Sequence, residues 1–202
     1  LIYKNLTVRG GYLPPDWNTY HGQSQPTILD AQGLGRVVAI TGTTQAKLEG
    51  LFITGGQATY LGGMSSTDAG GGVYVYSATV VISDCQIYAN QAVTATEDYR
   101  QGYGGGIALI RGRNSLVAGN AIRQNTGNWR RTAQGGGLYL YLANGTRIER
   151  NIIRSNLGTH GFGASAFVDI YDLKVANGVT PDGQEYNAIA NELRATHVAL
   201  AP

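Results

Sequence analysis

One phrase recurs three times at nearly constant spacing: GGGVYVYSATVVISDCQIYANQA from Gly70, GGGIALIRGRNSLVAGNAIRQNTG from Gly104 and GGGLYLYLANGTRIERNIIRSNLG from Gly135. Each copy runs from a glycine triplet through an alternating strand, a polar turn and a second short apolar stretch to a closing asparagine. A unit this short cannot bury an apolar face alone. Copies of it must stack, and neighbouring copies must share one continuous core.

Laid on one another, the copies form columns. Val73, Ile107 and Leu138 share one, and Val75, Leu109 and Leu140 share the next but one. The residues between them, Tyr74, Ala108 and Tyr139, then point the other way, which is the period-two pattern of strands. Further apolar columns are Ile82, Val117 and Ile148, then Ile87, Ile122 and Ile153. Two polar columns accompany them: Cys85, Asn120 and Asn151, and Asn90, Asn125 and Asn156. A column of identical asparagines can pass amide hydrogen bonds from one copy to the next. The expected object is an all-β solenoid, a parallel β-helix of about five to six coils forming a single domain over residues 1–202. Its clearest repeats are 70–92, 104–127 and 135–158, with degenerate coils at 26–58 and 161–194.

The degenerate parts follow the same columns less strictly. Leu48, Leu51, Ile53 and Gly56 fit those of Ile82, Cys85, Ile87 and Asn90, with Val38 and Ile40 facing in one strand earlier. Asn5 to Gly11 is laid on Asp84 to Asn90, so that Leu6 and Val8 take the columns of Cys85 and Ile87. The chain opens on leucine in what reads as the middle of a coil, and is expected to be a mature or partial chain with an open lower end. Pro14, Pro15, Asp16, Trp17 and Gly22 mark a long loop suited to a cap or a partner contact. After Gly158 the columns decay, and Asn187 to Asn191 echo Asn120 to Asn125.

Composition supports this reading where it bears on it. Thirty glycines against three phenylalanines and one methionine suit tight stacking rather than a bulky core. A net charge of +2 favours neither nucleic acid nor an anionic membrane surface. No apolar run reaches the ~18 residues that span a bilayer as a helix. The single cysteine, Cys85, sits in a core column away from His21, His160 and His197, as a buried structural residue does.

Between copies the chain departs from its pattern at Thr59 to Ala69, Val93 to Tyr103 and Asn128 to Gln134. Insertions at equivalent points of a solenoid emerge on one face, which is often the binding face. These carry Tyr60, then Tyr99, Arg100 and Tyr103, then Trp129, Arg130 and Arg131. Aromatic rings mixed with arginines suit sugar faces and uronate carboxylates, and equally suit a protein interface. A second candidate surface is the outward strip made by Tyr74, Ala108 and Tyr139 beside Tyr76, Ile110 and Tyr141. Uncovered, such a strip marks association with a glycan or another copy of the chain; a loop or the tail can also cover it. Arg123 and Arg154 align with Tyr88 and add positive charge to the later coils.

The GGG-[VIL]-x-[VL] opening, the I-x-x-[CN]-x-I-x-x-N close and the lead-in from Pro26 to Gly33 resemble the right-handed parallel β-helix repeats of secreted bacterial proteins, pectate-lyase-like solenoids among them. The resemblance covers about residues 26–160. It implies three parallel sheets and an extracellular or cell-surface location. The same coil serves lyases, hydrolases, adhesins and autotransporter passengers, so it does not assign an activity. Pectate-lyase-like members use calcium-binding acids with a basic residue, and galacturonase-like members use clustered aspartates. In the aligned copies Asp84 faces Gly119 and Arg150, and Glu149 faces Ala118 and Ser83, so no carboxylate pair lies in adjacent columns. A loop-borne set of Asp68, Glu97, Asp98 and Arg100 is the remaining catalytic candidate. No cofactor or metal is called for, calcium included. Two functions stay open: an extracellular structural or adhesive module that engages glycans or its own copies, and an enzyme acting on acidic polysaccharides.

Overall fold

The computed structural model describes residues 1–64, 67–94, 100–128 and 133–158, together with strand backbone at 166–169 and 174–176. Strands β1 (Leu6–Arg9) and β2 (Thr27–Asp30) form a partial first coil. The next coil is β3 (Val38–Thr41), β4 (Gln45–Glu49) and β5 (Leu51–Thr54). A short β6 (Thr67–Ala69) precedes the coil of β7 (Val73–Tyr76), β8 (Thr79–Ser83) and β9 (Gln86–Tyr88). Likewise β10 (Gln101–Tyr103) precedes β11 (Ile107–Ile110), β12 (Leu116–Ala118) and β13 (Ala121–Arg123). Then β14 (Ala133–Gln134) precedes β15 (Leu138–Tyr141), β16 (Arg147–Glu149) and β17 (Ile152–Arg154), and β18 (Ala166–Asp169) and β19 (Lys174–Ala176) begin another turn.

Successive coils pair in parallel to give three long sheets: β3-β7-β11-β15-β18, β1-β4-β8-β12-β16-β19 and β2-β5-β9-β13-β17. Among the described residues four coils contribute to all three sheets and a partial coil extends each end, against the five to six expected. The registers follow the sequence columns: Ile107 pairs with Val73 and Leu138, Val117 with Ile82 and Ile148, and Ile122 with Ile87 and Ile153. Their inward side chains make one core running along the axis, with Ile40, Leu48, Ile82, Leu109 and Ile122 fully buried.

The repeated phrase is explained position by position. The first glycine of each triplet, Gly70, Gly104 and Gly135, has φ between 58° and 67°, the left-handed region that costs a side chain energy. The second and third lie against the next turn of chain. A Cβ on Gly105 would strike the Thr126 carbonyl, and one on Gly106 would come within 2.6 Å of the Gly137 carbonyl. The closing asparagines form the expected ladder inside the solenoid. Asn125 Oδ1 accepts from the Asn90 backbone N–H at 3.1 Å and from Asn90 Nδ2 at 3.0 Å. In turn, Asn125 Nδ2 donates to the Ile87 carbonyl at 2.9 Å and to Asn156 Oδ1 at 3.0 Å. A second ladder joins Asn120 and Asn151 and ends on the Cys85 backbone N–H.

Cys85 is fully buried and its thiol lies 3.7 Å from the Leu48 carbonyl, where Asn120 in the next coil places an amide donor on Ile82. Burial pushes the thiol up to about 11. Ellman's reagent is therefore expected to leave Cys85 untouched in the native chain and to react fully after unfolding in guanidinium. Labelling in native buffer within minutes would show that the coil opens around it.

Two expectations need correction. Strand β1 pairs with β4, Leu6 opposite Ala46 and Val8 opposite Leu48, so it occupies the column of Ile82 rather than that of Ile87. Alternating apolar residues fit either sheet, and what decides is that β2, with Leu29 opposite Ile53, already fills the other column. Residues 26–58 therefore join the last strand of one coil to the whole of the next. The loop between β1 and β2 lies at another corner, whereas the three insertions between copies emerge together as expected, their closing strands β6, β10 and β14 pairing in one sheet. The echo at 187–191 lies outside the described residues.

Candidate functional site

The later insertions leave the solenoid at one corner, just after the parallel bridges that join Gln57, Gln91, Thr126 and Leu157. Their closing residues pair with one another as a fourth parallel sheet, β6-β10-β14, with Gln101 opposite Thr67 and Gly102 opposite Asp68 and Ala133. This sheet packs on the outward face of β7, β11 and β15. A second apolar core results, made of Ala69, Tyr103, Ala108, Ile110 and Tyr139, with Met64, Tyr74, Tyr76 and Tyr141 around it. The outward strip read from the sequence is thus no open surface: Ala108 and Ile110 are fully buried and Tyr139 is 2% exposed. Tyr103 stacks on Tyr139 with ring centroids 4.9 Å apart.

Two arginines hold the insertions in place. Arg36 donates from Nε to the Ala69 carbonyl at 2.9 Å and also binds the carbonyls of Leu61 and Gly62, while its guanidinium lies 4.2 Å over the Tyr74 ring. Burial lowers its proton affinity, partly offset by Tyr74 and Asp68, and it stays a cation. Asp68 is fully buried. It accepts from the backbone N–H groups of Tyr60 and Gly62 and from both Nε and a terminal nitrogen of Arg100. Arg100 therefore ties the second insertion to the first, and its guanidinium covers the Tyr60 ring at 4.8 Å.

Beside the second core a groove of about 560 Å³ stays open between the two layers. Tyr74, Tyr76, Tyr103 and Tyr141 line it, with Gln101 and Arg111 at polar positions. Tyr74 and Tyr76 are near-parallel at 6.4 Å, as are Tyr139 and Tyr141. Arg111, exposed at a left-handed corner after β11, donates to the Tyr76 hydroxyl at 3.2 Å. Burial raises the phenols of Tyr74 and Tyr103, so both remain protonated donors at neutral pH.

A sequence profile for the right-handed beta helix region matches residues 37–180. The chain belongs to the right-handed β-helix family. No curated protein and no solved structure matches it.

Within this β-helix the candidate residues separate. Tyr74, Tyr76, Tyr103 and Tyr141 share the groove, whereas Tyr139 lies beneath it. Tyr60 is 66% exposed, and together with Arg100 it belongs to the Asp68 tie rather than to the groove lining. Asp68 and Arg100 do meet, as an ion pair in which Asp68 is fully buried and the Arg100 side chain is partly exposed. Tyr99, Trp129, Arg130, Arg131, Glu97 and Asp98 lie outside the described residues. Sequence reading missed Arg36, Gln101 and Arg111: the partners of Arg36 are set by folding back of the first insertion, Gln101 accepts from Tyr103 in its own strand, and Arg111 meets Tyr76 of the neighbouring coil.

Within the aligned copies Glu149 stands opposite Ala118, and Ala118 opposite Ser83, as expected; outside them a carboxylate of a degenerate coil shares a hollow with Asp84. Glu49 and Asp84, from successive coils, line one hollow of about 280 Å³ with Arg9, Tyr12 and Tyr20. Glu49 escaped notice because it belongs to a degenerate coil. Burial favours its neutral form, but hydrogen bonds and charges from Lys47 and Arg9 outweigh this and hold it below the ordinary carboxylate range. Among the described residues no group of three or more His, Cys, Asp or Glu side chains gathers to hold a metal ion. No helix among them is long and apolar enough to cross a membrane.

Proposed function

We propose that this β-helix is an extracellular binding module and that its tyrosine groove takes a stretch of glycan chain. The observation that carries the reading is the lining: four tyrosines, Gln101 and Arg111 around about 560 Å³, with no carboxylate among the described lining residues. Phenol rings offer flat apolar faces to pyranose rings and hydroxyls to their polar edges. Tyr76 and Tyr141 stand on strands two steps apart, about 9.6 Å by ordinary strand spacing, close to the advance of a β-linked disaccharide. Arg111 supplies one fixed positive charge at the mouth, which favours a uronate unit. Hydrolysis by paired carboxylic acids needs two such groups across the bond, and this lining offers neither. Binding without turnover is the reading it supports. The extracellular setting rests on the likeness of the repeats to those of secreted coils.

Calorimetric titration with uronate and neutral oligosaccharides tests it. Tetramers are expected to bind better than dimers. Tyr76→Ala or Tyr141→Ala should each weaken binding about tenfold, the loss of one ring contact worth ~1.4 kcal/mol. Arg111→Ala should remove the preference for uronates. Failure of every oligosaccharide to bind, or affinities unchanged in both tyrosine variants, would overturn the proposal, and release of new sugar ends during incubation would replace it with an enzymatic one.

A further inference from the structure

The loop between β1 and β2 builds a second site away from the tyrosine groove. It leaves the first coil at the corner that later coils turn through single left-handed residues, Gly50, Asp84, Gly119 and Arg150. Tyr20 lies on this corner because Gly50 has no side chain; a Cβ there would come within 3.1 Å of the phenol oxygen. Tyr12 packs against Tyr20 with ring centroids 5.7 Å apart and planes tilted by 51°. The hollow these rings share with Arg9, Glu49 and Asp84 is joined, through Arg9 and Tyr12, to a shallower depression edged by Trp17, which is 63% exposed.

Charge decides what fits. Arg9 is engaged by Glu49 at 2.6 and 2.7 Å and reaches the Tyr12 hydroxyl at 3.4 Å, and Lys47 pairs with the other Glu49 oxygen. The Asp84 carboxylate is exposed and, among the described residues, makes no hydrogen bond or ion pair. Arg9 and Lys47 balance Glu49 and Asp84 overall, and Asp84 is the one carboxylate of the hollow outside an ion pair; it stands beside two aromatic faces, with an exposed indole platform adjoining. We infer that this corner is a saccharide subsite for an oligosaccharide bearing free ammonium groups. One sugar face stacks on Trp17, and an ammonium sits against Asp84 beside the tyrosine rings, held by a charge-assisted hydrogen bond and by the ring quadrupoles. This does not rest on the reading of the tyrosine groove, whose one charged group, Arg111, has the opposite sign.

The test is calorimetric titration of the whole chain with a glucosamine tetramer, its fully N-acetylated counterpart and tetralysine. The glucosamine tetramer is expected to bind at least tenfold tighter than either. Asp84→Asn should weaken it at least tenfold, and the change is mild for the fold, since asparagine accepts the φ of 55° found there. Trp17→Ala should weaken it too, while Tyr76→Ala in the groove should not. No binding of the glucosamine tetramer, equal binding of the acetylated tetramer or of tetralysine, or affinity unchanged by Asp84→Asn would each overturn the inference.

Discussion

Asn125→Ala is expected to lower the free energy of unfolding by about 3–5 kcal/mol, enough to unfold a marginal domain at moderate temperature. The reason is the number of groups that depend on one buried amide. Asn125 is fully buried and its side chain makes four hydrogen bonds: two accepted from Asn90 and two donated, to Ile87 and Asn156. Asn90 Nδ2 keeps its bonds to Ile53 and Tyr88, and Asn156 Oδ1 keeps the Asn125 backbone N–H. The Asn90 N–H loses its acceptor and is left unpaired inside the solenoid, at a cost of ~1–3 kcal/mol, and the Ile87 carbonyl loses the amide as a donor. The freed volume adds a small cavity. Urea unfolding followed by circular dichroism measures the change; a midpoint shift worth less than ~1 kcal/mol would mean that water enters the ladder and replaces the amide.

The second large effect is expected at the tie between insertions. Asp68→Asn should destabilise by about 2–4 kcal/mol, below the full figure for a deeply buried pair because the Arg100 side chain is 26% exposed. Asparagine keeps the shape but has one acceptor oxygen for the Tyr60 and Gly62 N–H groups and none of the charge that holds Arg100. The damage should be local. Limited proteolysis is expected to cut within 59–69 and 93–103 while the strand signal of the three long sheets persists, because each coil of a solenoid depends mainly on its neighbours. Glycan binding in the tyrosine groove should fall as well, since Met64 and Thr67 on the first insertion help to line it. The double variant Asp68→Asn, Arg100→Leu should lose less than the sum of the two single variants, because each single change already breaks the same ion pair. A cycle showing purely additive losses would mean that the pair is not coupled.

Much of the long-sheet architecture was legible because its contacts are periodic. Ile122 meets Ile87 and Ile153 through register alone, and an apolar residue at the same offset in each copy announces that meeting. The same logic failed at β1, where Leu6 and Val8 satisfy two columns equally and the choice depends on β2, eighteen residues beyond the end of β1. Glu49 lies outside the aligned copies, so its place in one hollow with Asp84 carried no repeated signal. The groove was legible in its parts. Tyr74, Tyr76, Tyr103 and Tyr141 were all singled out, yet as two separate surfaces, an outward strip and a set of loops, which the fold presses into one.

The sequence alone therefore determined the coil, its core columns and its asparagine ladder, because these are nearest-neighbour interactions between equivalent positions and each copy states them again; the three sheets came with the resemblance to β-helix repeats. Tertiary structure decided where the insertions go. Arg36 reaches Ala69 across 33 positions and Arg100 reaches Asp68 across 32, with no repeat to signal either. Those bonds form because folding the insertions back over Ala108, Ile110 and Tyr139 removes that apolar strip from water, and the polar groups buried with it must then find partners. What the strip cannot cover is left as the groove.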